Sequence, residues 1–448
     1  MNPILPFFCR VRKLVVILLL AFSLPVFAAC PPDTFVDRAN FSHVDDDPGA
    51  DGSNDKGGYA VATNGEVVAM GMVGHPAHDT HRVYLYRRGA GIGQWTYLKS
   101  LAQPGFSRTS DHFAEVLAMD GDTLVVGAKA AGAQSSNFAG AVYVFQRNQG
   151  GPDQWGIRQS VYANPADGFR DFGESLDIHR NRMVIGDTVG NGGRAVVYER
   201  SSSGANFVAV AELLPPGADL AREVSFAKKV TLYGDIAVVS DPGFRNAADT
   251  AAEGRAYVYA RDQGGVGQWG LVTTLTSPTS TPPSGTIEFG SAISTWGSDD
   301  KTRGETIAVS NQHQEGHVFL FGRDTGGIDN WGQIVDLQPS DSGSGEFGAS
   351  LHLHSNELLV GDPAATGIEN LTGAVYVYHQ QTGGSNNWGQ AQKFYSQSNN
   401  SRSNYGFALD WSAGVAVIGD PLADYAPDSA VGRTYVLFDD LIFCNPFE

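Results

Sequence analysis

The sequence predicts an all-β fold, a seven-bladed β-propeller of four-stranded blades, on three observations. A unit of strand-length pieces recurs seven times, opening at Gly57, Phe113, Phe172, Phe226, Phe289, Phe347 and Tyr405, a spacing of 54 to 63 residues. Self-similarity at a fixed period of this kind marks repeat architectures. Within each unit, β-branched and aromatic runs alternate with glycine-bearing turns and show no helical period. The seventh unit runs out one strand early, at Phe438, while a spare strand stands ahead of the first unit. Joining the two closes a ring with no free sheet edge at the seam.

The chain begins with Arg10, Arg12 and Lys13, then the apolar run Leu14 to Phe22, then small residues ending at Ala28-Ala29. That order is a secretory signal, so residues 1–29 are read as a leader and 30–448 as the propeller. The apolar run is short of the ~20 residues that a membrane span needs. The expected location is secreted, periplasmic or cell-surface. Removing the leader leaves 27 basic and 48 acidic residues, net −21 against −18 for the whole chain. Such a charge repels nucleic acid and other polyanions. Only three cysteines in 448 residues exclude a disulfide-built scaffold, while 42% hydrophobic residues suffice for a large core.

Two cysteines survive cleavage, Cys30 at the new start and Cys444 near the end. In an oxidising compartment they are expected to pair, stapling the seam; alternatively Phe27-Ala28-Ala29-Cys30 approaches a lipoprotein signal and Cys30 carries a lipid. Residues 31–42 follow, with Phe35 and Phe41 spaced as in the fourth strands, and form the outer strand of the last blade. Next comes the acidic stretch Asp45, Asp46, Asp47, Asp51 and Asp55, either a solvated loop or a site for a hard cation through carboxylate oxygens.

The unit itself is clearest in its sixth copy: Phe347-Gly-Ala-Ser-Leu, a polar turn, Leu358-Leu-Val-Gly-Asp-Pro, a loop, Gly373-Ala-Val-Tyr-Val-Tyr, a Gly-Gly turn, then Trp388. In six copies a small residue closes the second strand fourteen positions after the opening one: Gly71, Gly127, Gly186, Ser240, Gly361 and Gly419. The fifth is longer by seven, with Gly297 to Arg303 inserted before Ser310. Third strands start at Val83, Val142, Val196, Tyr257, Val318, Val375 and Tyr435. Fourth strands open on an aromatic with a large apolar residue six positions on, as in Trp95/Leu101, Trp155/Val161 and Trp331/Leu337. One tryptophan per blade at a fixed strand position is read as packing rather than as a ring of sugar platforms. Gly89 to Gly93 looks like a phosphate loop, but the same slot holds Gly150-Gly151, Gly264-Gly265, Gly326-Gly327 and Gly383-Gly384, so these are hairpin turns using positive φ.

Phe172-Gly173, Phe289-Gly290, Phe347-Gly348 and Tyr405-Gly406, with Ser240-Asp241-Pro242, Gly361-Asp362-Pro363 and Gly419-Asp420-Pro421 standing where Gly-Ala-Pro is usual, resemble the FG-GAP repeats of the integrin α-subunit propeller and of bacterial exported proteins. The resemblance covers residues 31–443 and implies a propeller that serves binding or adhesion. Integrin-like members hold calcium in the hairpin after the first strand. Here those hairpins are tight, as at Asn64-Gly-Glu66, Asp120-Gly-Asp122, Tyr233-Gly-Asp235 and Ser355-Asn-Glu357, with too few carboxylates for such a loop. No calcium or other cofactor is therefore expected from the family.

His75, His78, Asp79 and His81 fall within seven residues in the loop after the second strand of the first unit, a set able to hold a divalent transition metal or to serve as a polar loop. His352 and His354, two apart on a first strand, share a face and are read as structural. No His-Glu-x-x-His or Gly-x-Ser-x-Gly occurs. The expected function is a monomeric scaffold binding a protein or carbohydrate ligand on the rim of the second-to-third-strand loops, which vary in length. The alternative is a polysaccharide-active hydrolase or lyase using acidic or histidine side chains on the same rim.

Overall fold

Seven four-stranded antiparallel sheets make up the computed structural model. It describes residues 35–41, 56–74, 81–91, 93–105, 109–132, 139–164, 171–188, 192–217, 225–245, 251–279, 286–297, 305–311, 316–327, 330–341, 346–366, 373–382, 384, 387–396, 403–423 and 431–439. All of these lie in one compact unit, Pro32–Glu448. Blade 1 holds β2 (Gly57–Thr63), β3 (Val67–Met72), β4 (Arg82–Arg88) and β5 (Trp95–Ala102). Blade 2 holds β6 (Phe113–Asp120), β7 (Thr123–Ala128), β8 (Ala141–Gln146) and β9 (Gly156–Tyr162). Blade 3 holds β10 (Leu176–His179), β11 (Arg182–Asp187), β12 (Arg194–Glu199) and β13 (Val208–Leu213). Blade 4 holds β14 (Val230–Tyr233), β15 (Ile236–Asp241), β16 (Arg255–Arg261) and β17 (Trp269–Leu275). Blade 5 holds β18 (Ile293–Trp296), β19 (Thr306–Asn311), β20 (His317–Gly322) and β21 (Gly332–Leu337). Blade 6 holds β22 (Ser350–His354), β23 (Glu357–Asp362), β24 (Ala374–His379) and β25 (Gly389–Tyr395).

Blade 7 takes β26 (Ala408–Ser412), β27 (Val415–Asp420) and β28 (Arg433–Asp439) from the end of the chain and β1 (Phe35–Phe41) from its start. β1 runs antiparallel to β28, from Phe35 opposite Asp439 to Phe41 opposite Thr434. The ring therefore closes through the amino-terminal strand. Its register fits this role closely. In blades 1 to 6 the outer strand carries one extra residue opposite the same step of the third strand, for example Leu85/Tyr86, Val144/Phe145 and Val377/Tyr378. β1 carries its extra residue between Asp37 and Ala39, opposite the equivalent step Leu437/Val436. The pairings of Gly186 with Ala195, Ser240 with Ala256 and Gly419 with Thr434 set the third strands of blades 3, 4 and 7 one residue earlier than the sequence alignment on Val196, Tyr257 and Tyr435.

The opening aromatic of each unit explains much of the packing. Phe113, Phe172, Phe226, Phe289, Phe347 and Tyr405 are all buried. Five of them meet a third-strand ring of their own blade: Phe113–Tyr143, Phe226–Tyr257, Phe289–Phe319, Phe347–Tyr376 and Tyr405–Tyr435, at centroid distances of 5.0 to 6.0 Å. Trp155, Trp331 and Trp388 are buried in the blade cores as well.

Neighbouring blades join through small residues. A Cβ added to Gly361 would strike both the Ser350 hydroxyl and the Gly406 carbonyl of the next blade, and Gly127, Gly186 and Gly419 meet the next blade's backbone in the same way. Gly140, Gly254, Gly373 and Gly432 bridge to Phe172, Phe289, Tyr405 and Gly57 respectively, and the last of these bridges crosses the seam. The free edge of each first strand faces the central channel, where unpaired N–H groups would be costly. The preceding blade supplies acceptors: Asp410 Oδ2 takes Thr63 N (2.6 Å), Asp120 Oδ2 takes Arg180 N (2.5 Å), Asp177 Oδ2 takes Leu232 N (2.7 Å) and Ser294 Oγ takes Leu353 N (2.9 Å).

Candidate functional site at the charged mouth of the channel

First strands run along the channel, so their starting residues surround one mouth. This is the mouth on the side of the second-to-third-strand loops. The second and third residues after each opening aromatic fall there. Blades 2 to 4 place Glu115, Glu174, Lys228 and Lys229 at these positions, and Lys129, just after β7, joins them. Tyr59, Ala349, Ser350 and Phe407 line the opposite wall of a cavity of about 400 Å³.

The charges alternate in sign and are linked. Lys129 Nζ stands 3.3 Å from Glu115 Oε2 and 3.7 Å from Glu174 Oε1. Lys228 donates to Glu174 Oε1, and Thr188 donates to Glu174 Oε2 at 2.6 Å. His112, with a positive φ of 58°, brings Nδ1 to 2.6 Å from Glu115 Oε1.

These contacts divide the acids. Burial opposes ionisation of Glu174, but the bonds from Lys228 and Thr188 outweigh it and hold the carboxyl below its usual range. Asp171, three residues earlier, is pushed up by burial and by the Glu174 charge. Burial opposes the charge on Lys129, yet Glu115 and Glu174 raise it overall. Lys229 is exposed to the channel but enclosed by its walls, and that enclosure, with Lys228 beside it, lowers its ammonium. The mouth can therefore offer fixed anionic and cationic groups to a polar ligand, and a carboxyl whose pKa is raised next to one whose pKa is lowered.

Beneath the surrounding rim lie buried carboxylates. Asp187, Asp241, Asp362 and Asp420 end the second strands and are fully buried. Asp241 Oδ1 accepts from Ser225 N (2.9 Å) and Ser225 Oγ (2.8 Å). Asp420 accepts from Asn404 N (2.8 Å), Ser396 Oγ (3.0 Å) and Ser403 Oγ. Arg194 Nε donates to Asp187 Oδ2 at 3.0 Å. In blades 4 and 7 the clasp ties the chain entering the first strand to the chain leaving the second, so both connections of the rim rise from one fixed point.

Of the possible metal or cation ligands named from the sequence, His81 is described: it is buried, and its Nδ1 lies 3.0 Å from the Phe113 carbonyl. A carbonyl can only accept, so Nδ1 donates and Nε2 keeps its lone pair; burial holds the ring's pKa below its ordinary value. His75, His78, Asp79, Asp45, Asp47, Asp51, Asp55, Cys30 and Cys444 lie outside the described residues. Among the described residues no group of three or more His, Cys, Asp or Glu is spaced to hold a metal ion. Sequence reasoning missed Glu115, Lys129, Asp171, Glu174, Lys228 and Lys229, because they come from separate blades far apart along the chain and meet only in the fold.

No curated protein matches the chain in sequence. Among solved structures, a protein from Lactobacillus plantarum is similar at 13% identity and TM-score 0.49, over 75% of this chain and 84% of that one. Sqt1 of Saccharomyces cerevisiae is similar at 10% identity and TM-score 0.46, over 91% and 99%. The FG-GAP repeat family matches residues 107–145, which run from just ahead of β6 through β7 to the penultimate residue of β8. That stretch contains the opening phenylalanine, the second-strand glycine and the third-strand tyrosine that recur around the ring, and the chain is a seven-bladed β-propeller whose second blade matches an FG-GAP repeat.

Proposed function

We propose that this propeller is an exported recognition module that seats a protein or glycan ligand on the rim of the second-to-third-strand loops, over the charged mouth. The observation that carries the reading is the set of buried aspartate clasps under that rim. Asp241 and Asp420 are removed from water to fix the points where the loops begin, as a rigid frame for loops of differing length requires. Export rests on the leader at 1–29, and the proposal includes a Cys30–Cys444 disulfide and a monomeric state; a lipid on Cys30 would anchor the same module to a membrane surface. Glycan-array and pull-down screening of residues 30–448 tests the reading. A ligand should be retained by the wild type and lost in Lys129→Ala and Lys228→Ala variants that melt normally. Retention unchanged in both variants would move recognition away from this mouth.

The opposite displacement of Asp171 and Glu174 favours a second reading, a polysaccharide-active hydrolase or lyase. Two adjacent carboxyls with pKa values pushed apart are the arrangement acid–base chemistry uses. Release of reducing ends from a polysaccharide panel, abolished in Glu174→Gln, would establish it. A divalent metal at His75, His78, Asp79 and His81 is compatible with either reading, with His81 Nε2 as the coordinating atom.

A further inference from the structure

The other end of the channel is built from different chemistry. There the seventh residue after each opening aromatic comes to the mouth: Asn64, Asp120, His179, Tyr233, Trp296, His354 and Ser412. Four consecutive blades thus place an aromatic ring at one level. His179 stacks on Tyr233 at 4.3 Å, Tyr233 lies 5.9 Å from Trp296, and Trp296 lies 6.2 Å from His354, which Trp411 backs at 4.8 Å. His179, Tyr233, Trp296 and His354 are only half-buried, so part of each ring remains open. They wall one side of a cavity of about 430 Å³, whose other side is formed by Thr63, Leu117, Met119 and Asp120.

The electrostatics of this cavity are one-sided. Asp120, Asp177 and Asp410 line it, and no Lys or Arg appears among the described residues of its wall. The carboxylates spend hydrogen bonds on neighbouring strand edges, but backbone N–H groups do not cancel their charge. Asp410 has His352 at 3.0 Å, and Asp120 acts on the Arg200 guanidinium, which is not among the residues of the wall. His354 adds ring surface without charge at neutral pH, since burial, with His352 beside it, lowers its pKa to about 4. Negative charge next to the faces of several aromatic rings, in a place partly screened from water, selects a cation with an apolar surface. An inorganic cation would gain little from the rings. A neutral sugar could donate hydroxyl hydrogen bonds to the carboxylates but brings no charge to balance their excess.

We propose that this end of the channel is a binding site for a compact organic cation of the alkylammonium class, held against Tyr233 and Trp296 with Asp120 facing them. It lies at the mouth opposite the charged site above and does not depend on the function proposed for that site.

The test uses residues 30–448 with choline, tetramethylammonium and 3,3-dimethylbutan-1-ol, the uncharged carbon isostere of choline. Proton NMR of the ligand methyl groups should show a saturable upfield ring-current shift for both cations, with choline bound at least about tenfold more tightly than the isostere. Trp296→Leu should weaken choline by about tenfold. Asp120→Asn keeps an acceptor for Arg180 N and so carries the test if the tryptophan variant fails to fold; it should weaken choline severalfold and leave the isostere unchanged. The proposal is overturned by equal affinity for choline and its isostere, by no shift up to about 20 mM ligand, by a methyl glycoside binding where choline does not, or by choline affinity that ignores Asp120→Asn.

Discussion

Gly361→Ala tests how the blades are joined, because the added methyl has no space. An ideal Cβ at Gly361 overlaps the carbonyl oxygen of Gly406 in the next blade and Ser350 Oγ in its own, and comes within 3.0 Å of the Gly406 carbonyl carbon. Two of these atoms are backbone and cannot swing aside. The third, Ser350 Oγ, donates to Gly406 O at 2.6 Å, so relieving the overlap also breaks a bond between blades 6 and 7. Overpacking a filled site costs about 1–3 kcal/mol, and the lost hydrogen bond about 1 more. We expect a loss of about 2–4 kcal/mol in urea unfolding. The φ at Gly361 is not in the left-handed region, so backbone strain does not confuse the result. Gly204→Ala, where nothing lies within 4 Å of the new atom, is the control and should change stability by under about 0.5 kcal/mol. Ser350→Ala removes one of the colliding atoms, so the double variant should be more stable than the sum of the two single losses implies. A Gly361→Ala protein as stable as wild type would show that the blades have slack at this junction and would refute the close-approach account.

Deleting residues 31–42 strips β28 of its outer partner and opens the ring, so the whole unfolding transition should move to lower denaturant rather than lose one early phase; an unchanged midpoint would refute closure by β1. Asp420 is fully buried and its carboxyl is raised to about 6 by burial, against 3.8 ordinarily, so the folded state holds its proton more tightly than the unfolded one. Its contribution to stability is greatest below about pH 4 and is lost as pH rises to about 6. The stability of Asp420→Asn minus that of wild type should therefore increase between those values and level off above them; a difference independent of pH would contradict the raised pKa. Zinc titrated into residues 30–448 should bind at one per chain and weaken below about pH 6 as imidazoles protonate, and His78→Ala should reduce affinity without lowering metal-free stability. Stoichiometric binding that survives His→Ala changes at 75, 78 and 81 would place the metal elsewhere.

The fold was legible because its information is repeated. A buried phenylalanine that must meet a third-strand ring and a second-strand glycine that must admit the next blade's carbonyl each recur at nearly fixed spacing. The spare strand at Phe35–Phe41 could be placed by counting alone, since a ring of four-stranded blades admits no odd strand. The third strands of blades 3, 4 and 7 were aligned one residue late because Ala195, Ala256 and Thr434 precede the β-branched or aromatic run that marks the strand; only the pairing with the second-strand small residue fixes the register.

The sites escaped for the complementary reason: their residues are what the repeats do not share. Glu115, Glu174 and Lys228 are 54 to 59 residues apart along the chain, and each alone is an ordinary polar residue near the start of a strand. His352 and His354 were correctly assigned to one face, but that face borders the channel, which no local pattern reveals. A first strand is amphipathic toward its two neighbouring blades, not toward solvent, so period-two reasoning does not mark its channel side. Comparison by position across the seven units does. The second residue after the opening aromatic reads Tyr59, Glu115, Glu174, Lys228, Ser291, Ala349 and Phe407, with charge confined to three adjacent blades. The seventh reads Asn64, Asp120, His179, Tyr233, Trp296, His354 and Ser412, with rings confined to four. Positions fixed by packing keep one residue type around the ring, as the phenylalanines do. Departure from that uniformity in consecutive blades, at two levels of one channel and with different chemistry at each, is what a scaffold shows when its symmetry has been broken to hold something off-centre.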